Sequence, residues 1–370
     1  MPRSPPVLRF ALLTAALVLT LGCGRGPTDR SGAPGGPEKA DPAVAESLSS
    51  LPKLQPKTRF KLPGERLFDA GCVQLTADGK RLAVTHKSPK SGNVVQIWDL
   101  SDVPTVIAEF PAFLFALSPS GRFILSSDRL EVYDVASKKP VAKLSYLFSH
   151  AFFRDDTTVV TTMRSHDFAA NTKGKIVIWD VSKNSDAGSF EIPDNRFEHA
   201  LPAKNGKEIW LFMGHNKFEV ECYDLDSRKL VRTIKPEAAD PKQPYTSSGI
   251  YATIASDGSV FGSNVSRMHF YEGETGKIVG KLPLPMLGSA TGFLPGGFRY
   301  LASVSFPEKI GLERNATVLF DWKAQKPLAV FTGHATTDEE IIGAGSVDGK
   351  VIVRTTRGGD VLVYDTSALK

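Results

Sequence analysis

The chain has 370 residues, 41% of them hydrophobic, so it can bury a large core, which excludes a wholly disordered polymer. Its 45 lysines and arginines face 40 acids; a formal net charge of +5 supplies no concentrated basic stripe, which argues against nucleic acid as a partner. Three cysteines, Cys23, Cys72 and Cys222, without CxxC spacing, exclude a disulfide framework and a zinc site.

The chain opens on Arg3 and Arg9 with no acid between Met1 and Arg9, followed by an almost wholly apolar run over Phe10–Leu21. That run is about half of the ~20 residues a membrane-spanning helix needs, so it reads as a secretory signal and not as a permanent span. Leu19-Thr20-Leu21-Gly22-Cys23 resembles a bacterial lipoprotein signal. The resemblance implies cleavage after residue 22 and lipidation of Cys23, although Thr20 stands where that family usually has leucine. Several acyl chains on Cys23 are then needed for firm anchoring, because one chain holds only marginally. Residues 23–56 are rich in Gly, Pro, Ala, Ser and charge, and read as a flexible tether between the anchor and the folded body. The expected location is the bacterial cell envelope, with the membrane touched through the lipid anchor only.

From residue 57 onward one pattern recurs seven times: a β-rich run, an aromatic residue, then an acid. The copies end at Trp98-Asp99, Tyr133-Asp134, Trp179-Asp180, Tyr223-Asp224, Tyr271-Glu272, Phe320-Asp321 and Tyr364-Asp365. The acids are 35, 46, 44, 48, 49 and 44 residues apart. A turn and a β-rich run precede each copy. Asp78-Gly79, Ser120-Gly121, Asn205-Gly206, Asp257-Gly258, Gly296-Gly297 and Asp348-Gly349 are hairpin turns by composition, and Asp155-Asp156 is a weaker one. A further strand follows six copies: Thr105–Phe110, Lys139–Leu144, Gly188–Ile192, Lys229–Ile234, Lys277–Leu282 and Lys326–Phe331. Each unit is therefore a four-stranded antiparallel sheet with two apolar faces. Such a sheet hides both faces only by stacking radially with others.

These seven copies resemble the WD40 repeat. The resemblance covers residues 57–370 and implies an all-β, seven-bladed β-propeller. The seventh copy lacks its last strand, and Thr58-Arg59-Phe60-Lys61-Leu62 supplies it, so that an N-terminal strand near residues 58–62 closes the ring and removes its open edges. The family's buried His–Asp–Trp hydrogen-bond set is mostly missing: only Trp98 and Trp179 precede an aspartate in these copies, and Gly333-His334 is the one glycine-histidine in the matching place.

Catalytic equipment is not visible. There is no HExxH, GxSxG, Walker loop or GxGxxG, and no histidine cluster at ligand spacing, so neither a metal nor a cofactor is expected. The loops joining second and third strands carry a cationic excess that includes Arg164, Arg267 and Arg354, together with His86, His166 and His215. These six are the candidate partner-face residues, presented by one end of the propeller. Acids in the blade-to-blade links, among them Asp194, Glu198 and Glu237, form a rim around that basic centre. The resemblance implies a non-catalytic binding scaffold that offers a rigid face to a protein or peptide, and the chain is expected to be monomeric. Two alternatives remain open. Tyr271-Glu272-Gly273-Glu274-Thr275-Gly276-Lys277 resembles the Thr-Gly-Lys turn of quinone-cofactor propeller enzymes. The order of lipobox, tether and propeller is similar to that of outer-membrane assembly lipoproteins.

Overall fold

In the computed structural model, residues 48–370 are described, except 67–72, 89–90, 164–172, 194–196, 214–218, 239–250, 265–267, 283–291, 295–298, 306–314, 334–341, 357 and 370. Seven β-sheets follow one another around the ring; in blades 1 to 5 the four strands of the antiparallel meander are paired in sequence order, and blades 6 and 7 add strands from the amino-terminal segment. Blade 1 is Val73–Leu75, Arg81–Ser88, Gly92–Asp99 and Thr105–Pro111. Blade 4 is Phe197–Ala203, Glu208–Met213, Val220–Asp224 and Lys229–Ile234. In blade 7 the inner strands Ile342–Gly345, Val351–Thr355 and Asp360–Asp365 take their outer partner from Thr58–Lys61, with Thr58 opposite Val363 and Lys61 opposite Asp360. The closing strand is thus where the sequence placed it.

The core is divided among the seams between sheets. Seven apolar clusters are present, and each joins two neighbouring blades. The seam between blades 7 and 1 contains Val353, Val361, Leu82, Val84 and Trp98, with the ring of Phe60 of the closing strand tilted 35° against the Trp98 ring, centroids 4.4 Å apart. Alternation along each strand makes this possible: Leu82 and Val84 face blade 7, whereas Ala83 lies in the seam to blade 2. Trp98 and Trp179 are packed as apolar bulk, since neither indole N–H has an acceptor.

In blades 1, 2, 3, 4 and 6 the acid of the repeat caps the turn between third and fourth strands, Glu272 of blade 5 accepts instead from the Thr275 hydroxyl, and Asp365 caps the turn that follows the third strand of blade 7. Asp134, Asp180, Asp224 and Asp321 each accept from the backbone N–H three residues on, at 2.6–3.0 Å. Asp99 and Asp365 accept from the N–H two residues on, both at 2.9 Å. Side chains of Asp and Asn mimic a turn in this way. The last turn residue is left-handed: Lys138, Asn184, Arg228, Gly276 and Gln325 all have φ between 51° and 71° or, for Asn184, 47°. At their third residue, in blade 5 their second, the outer strands of blades 1 to 6 carry a one-residue bulge, opposite the step into the motif aromatic.

Two departures from expectation concern the amino-terminal segment. Lys53–Leu54 is a strand that pairs in parallel with the outer strand of blade 6, Lys326–Phe331, through Val330 N–H to Pro52 O and Thr332 N–H to Leu54 O, both 2.9 Å. Leu48 is buried in the seam between blades 5 and 6, with Leu51 packed beside it. The folded body therefore begins at or before Leu48, inside the stretch 23–56 read as tether. Leucines at 48, 51 and 54 bury enough apolar surface to fix a segment that is otherwise polar. The inner strand of blade 6 is reduced, among the described residues, to a single bridge between Phe293 and Tyr300.

Candidate functional site

An antiparallel meander sends its turns alternately to the two ends of a blade. The first-to-second and third-to-fourth turns share one face of the ring. The second-to-third loops and the links between blades share the other, which is the predicted partner face. Of the six residues expected there, Arg164, His166, His215 and Arg267 lie outside the described residues. The other two are not on a surface at all. His86 is 1% exposed and Arg354 0%.

Both owe their burial to strand alternation. Arg354 is on the second strand of blade 7, its guanidinium 5.7 Å from the Phe331 ring and 5.8 Å from Tyr364, with Nη1 donating to the Tyr364 hydroxyl at 3.3 Å. Cation–π contact and hydrogen bonding let an arginine sit in a seam. His86 lies on the second strand of blade 1, opposite Arg66 in the short strand Glu65–Arg66 that leads from the closing strand. Burial holds its imidazole below the ordinary histidine value, against smaller upward pulls from the Lys87 backbone, Glu109 and Gln96. A residue placed at a loop by pattern alone thus turned out to end a strand and face inward.

The most fully described part of the partner face lies over blades 1 to 3. The link after blade 1 and the loop of blade 2 are locked together: Leu114 N–H donates to Ser127 Oγ at 2.9 Å, Ser127 N–H to Leu114 O at 3.0 Å, and Phe113 N–H to Asp128 Oδ1 at 2.8 Å. This holds Phe113 in a fixed, 38% exposed position. In the next link Leu147 is 63% exposed between Tyr146 and Phe148, which pack on the seam of blades 2 and 3. The Tyr146 hydroxyl pairs with Thr161 Oγ1 at 3.1 Å, and burial pushes its pKa up to about 12, so it stays neutral. Asp128 and Arg129 are exposed beside Phe113. Sequence reasoning, which weighed charges and histidines, missed Phe113 and Leu147. The available signal was a run of large apolar residues, Phe113-Leu114 and Tyr146-Leu147-Phe148, in each of two links.

On the same face His150 Nδ1 lies 3.3 Å from both Ser149 Oγ and Thr162 Oγ1, and its ring is 6.5 Å from that of His199. Among the described residues no group of three or more His, Cys, Asp or Glu side chains is placed to hold a metal ion. Among the described residues a charged cluster centred on the buried Glu208 is held by paired ions, with Arg232 Nε left without a hydrogen bond. Glu208 accepts from Trp210 Nε1 at 2.8 Å, Arg232 at 3.1 Å and Lys204 at 3.0 Å, while Glu274 of blade 5 reaches Lys204 at 3.4 Å and Arg232 at 3.7 Å. Burial pushes the Glu208 carboxyl up, but these bonds outweigh it and hold it below the usual value. The cluster ties blade 4 to blade 5. Cys222 beside it is buried, with its thiol pushed up to about 12 by desolvation. The segment Glu272–Lys277 is another third-to-fourth turn: Gly276 N–H donates to Glu272 O at 2.9 Å, as Arg228 N–H does to Asp224 O at 2.8 Å.

Ring, seams and face can be set beside known proteins. No family model matches the chain, and no curated protein matches it. Among solved structures it is similar to the β-propeller domain of Cps50 (Swd1) from Myceliophteria thermophila, with a TM-score of 0.58 over 84% of this chain and 99% of that one, at 12% identity. The chain is a seven-bladed β-propeller. At that identity the likeness speaks for the fold alone.

Proposed function

We propose that the protein is a non-catalytic binding scaffold of the bacterial cell envelope, held to a membrane by lipid on Cys23, that presents one propeller face to a protein or peptide. The observation that supports this reading best is the pair Phe113 and Leu147: large apolar side chains held out to solvent by a hydrogen-bonded link on a rigid face. Aromatic and aliphatic anchors of this kind carry most of the energy of protein interfaces, and charged neighbours such as Asp128 and Arg129 contribute orientation and rate. The amino-terminal sequence supports the location: Phe10–Leu21 fits a signal run, and Gly22-Cys23 fits the lipidation junction.

The test has two arms. The Cys23→Ser variant leaves the membrane fraction for the soluble one, whereas retention in the membrane fraction overturns the anchor. Affinity purification of the full chain from envelope extracts recovers a specific protein, and the double variant Phe113→Asp, Leu147→Asp loses it while keeping the native melting temperature. Equal recovery by the double variant overturns the assignment of the face.

A further inference from the structure

The rim of a propeller is a set of exposed sheet edges, and in blades 2, 5 and 6 of this chain an acceptor meets the outward donor of the outer strand. Two residues past each bulge, the outer strand points a backbone N–H away from the blade. In blade 2 that donor is Lys143, and Asn184 Oδ1 of the blade 3 turn accepts from it at 2.9 Å. In blade 5 it is Lys281, met by Gln325 Oε1 of the blade 6 turn at 3.4 Å. In blade 6 it is Val330, met by Pro52 O of the chain's own added strand. Blade 3 is guarded at the neighbouring carbonyl, where Arg228 donates to Ala187 O at 2.8 Å. The guards Asn184, Arg228 and Gln325 are all the left-handed last residue of the next blade's turn.

Blade 4, like blade 1, has no such guard among the described residues. Its corresponding donor is Thr233, exposed and opposite Glu221 as Val330 is opposite Val318. The residue in the guarding position is Gly276, which has no side chain to offer. A Cβ there would come within 2.7 Å of Ile234 and 3.0 Å of Lys235 O, so the close approach of blade 4's strand end keeps it glycine. Beside the exposed Thr233 lie Leu230 and Val231, 48% and 51% exposed, the exposed Lys229, and Lys235, which is exposed and 3.6 Å from Glu219.

We propose that the outer edge of blade 4, Lys229–Lys235, is a docking slot for an extended peptide segment with apolar residues and flanking acids, bound by strand addition as Lys53–Leu54 is bound at blade 6. Main-chain bonds give such a complex its affinity, and flanking charge gives it preference. Blade 1 provides the internal contrast. Its equivalent donor is Glu109, opposite Gln96, and that edge carries the exposed acids Asp102 and Glu109, which repel the same segment. The slot is on the rim of blade 4, apart from Phe113 and Leu147, so it stands or falls independently of the loop face.

The experiment is fluorescence anisotropy on the full chain with a labelled ten-residue peptide that alternates valine and threonine and carries two aspartates at each end. Saturable binding is expected, with protection of the Thr233 amide from hydrogen exchange. Thr233→Pro removes the outward donor at an edge position where proline is tolerated, and weakens binding about tenfold or more. Lys229→Glu with Lys235→Glu does the same without touching the backbone, and serves alone if the proline variant does not fold. A peptide ending in lysines binds at least tenfold less tightly. Absence of saturable binding, undiminished binding by a folded variant, or equal binding of the lysine-ended peptide overturns the proposal.

Discussion

At the scale of single residues, the acids of the repeat act on the backbone beside them. Hydrogen bonds to the neighbouring N–H groups hold the carboxyls of Asp99 and Asp134 below the ordinary aspartate range, and Asp180, bonded first to Lys183 and Ser182, lies lower still. Asp224 and Asp365 are lowered by bonds to Ser227 and Ser367. A carboxyl whose folded value lies below its unfolded value lends stability above the unfolded value and loses it as pH falls through the folded one. These turns therefore contribute fully at pH 5 and above and weaken below about pH 4. His86 adds an earlier onset. A buried imidazole held neutral lends stability above its unfolded value of about 6.5, and that is lost as pH falls from there. His86→Leu is expected to flatten the melting temperature between pH 7 and 5 and to leave the drop below pH 4, as thermal unfolding across pH will show. Asp134→Ala removes a turn cap and costs about 1 kcal/mol in chemical denaturation at pH 7, and Asp134→Asn, which keeps the acceptor, costs less. The aromatic-acid pairs were legible in sequence because their spacing is regular. Their use was not, because the same two letters serve either a tryptophan–aspartate network or an apolar wedge followed by a turn cap. Only the partners of Trp98 and Asp99 decide between them.

At the scale of strands, the outer edges show how much a period of two reveals. The fourth strands were placed within a few residues, since their turns and alternation are both visible. The parallel strand Lys53–Leu54 was not, because two residues carry no period, and its signal was instead the leucine spacing of 48, 51 and 54. His86 and Arg354 were misplaced for a related reason: second strands run longer than their apolar cores, and a polar residue at a strand end reads as loop. The path from the closing strand into blade 1 is tight. A Cβ at Gly64 would lie 2.2 Å from Lys87 O and 3.1 Å from His86 Nδ1. Gly64→Ala must displace backbone, and is expected to cost about 1–3 kcal/mol in denaturant titration, whereas Gly349→Ala, with open space around it, costs only its backbone preference, about 1 kcal/mol.

At the scale of the molecule, stability resides in seams that no blade owns. Each sheet lends one face to either neighbour, so the ring is complete only when the first and last segments of the body share blade 7. Deletion of residues 1–46 keeps every described contact, and the product should be monomeric in size-exclusion chromatography with a near-native melting temperature. Deletion of residues 1–61 bares the edge Asp360–Asp365 and half-opens the seam that holds Phe60 and Trp98, and is expected to give aggregates or a large loss of thermal stability. The ring itself was readable because seven copies at blade spacing have few other ways to hide their faces. The proposed partner surface was not, because what distinguishes Phe113 and Leu147 is exposure, which pattern does not record.

The stitching of Leu48–Lys61 across blades 5, 6 and 7 also fixes how the ring carries tension. A pull from the amino-terminal side meets the Leu48 plug first, then the two-residue pairing at Val330 and Phe331, and only after those the closing strand itself. The latch that holds the circle shut is therefore shielded by two sacrificial fasteners upstream of it, and a tug on the leash is spent at the rim before it reaches the clasp.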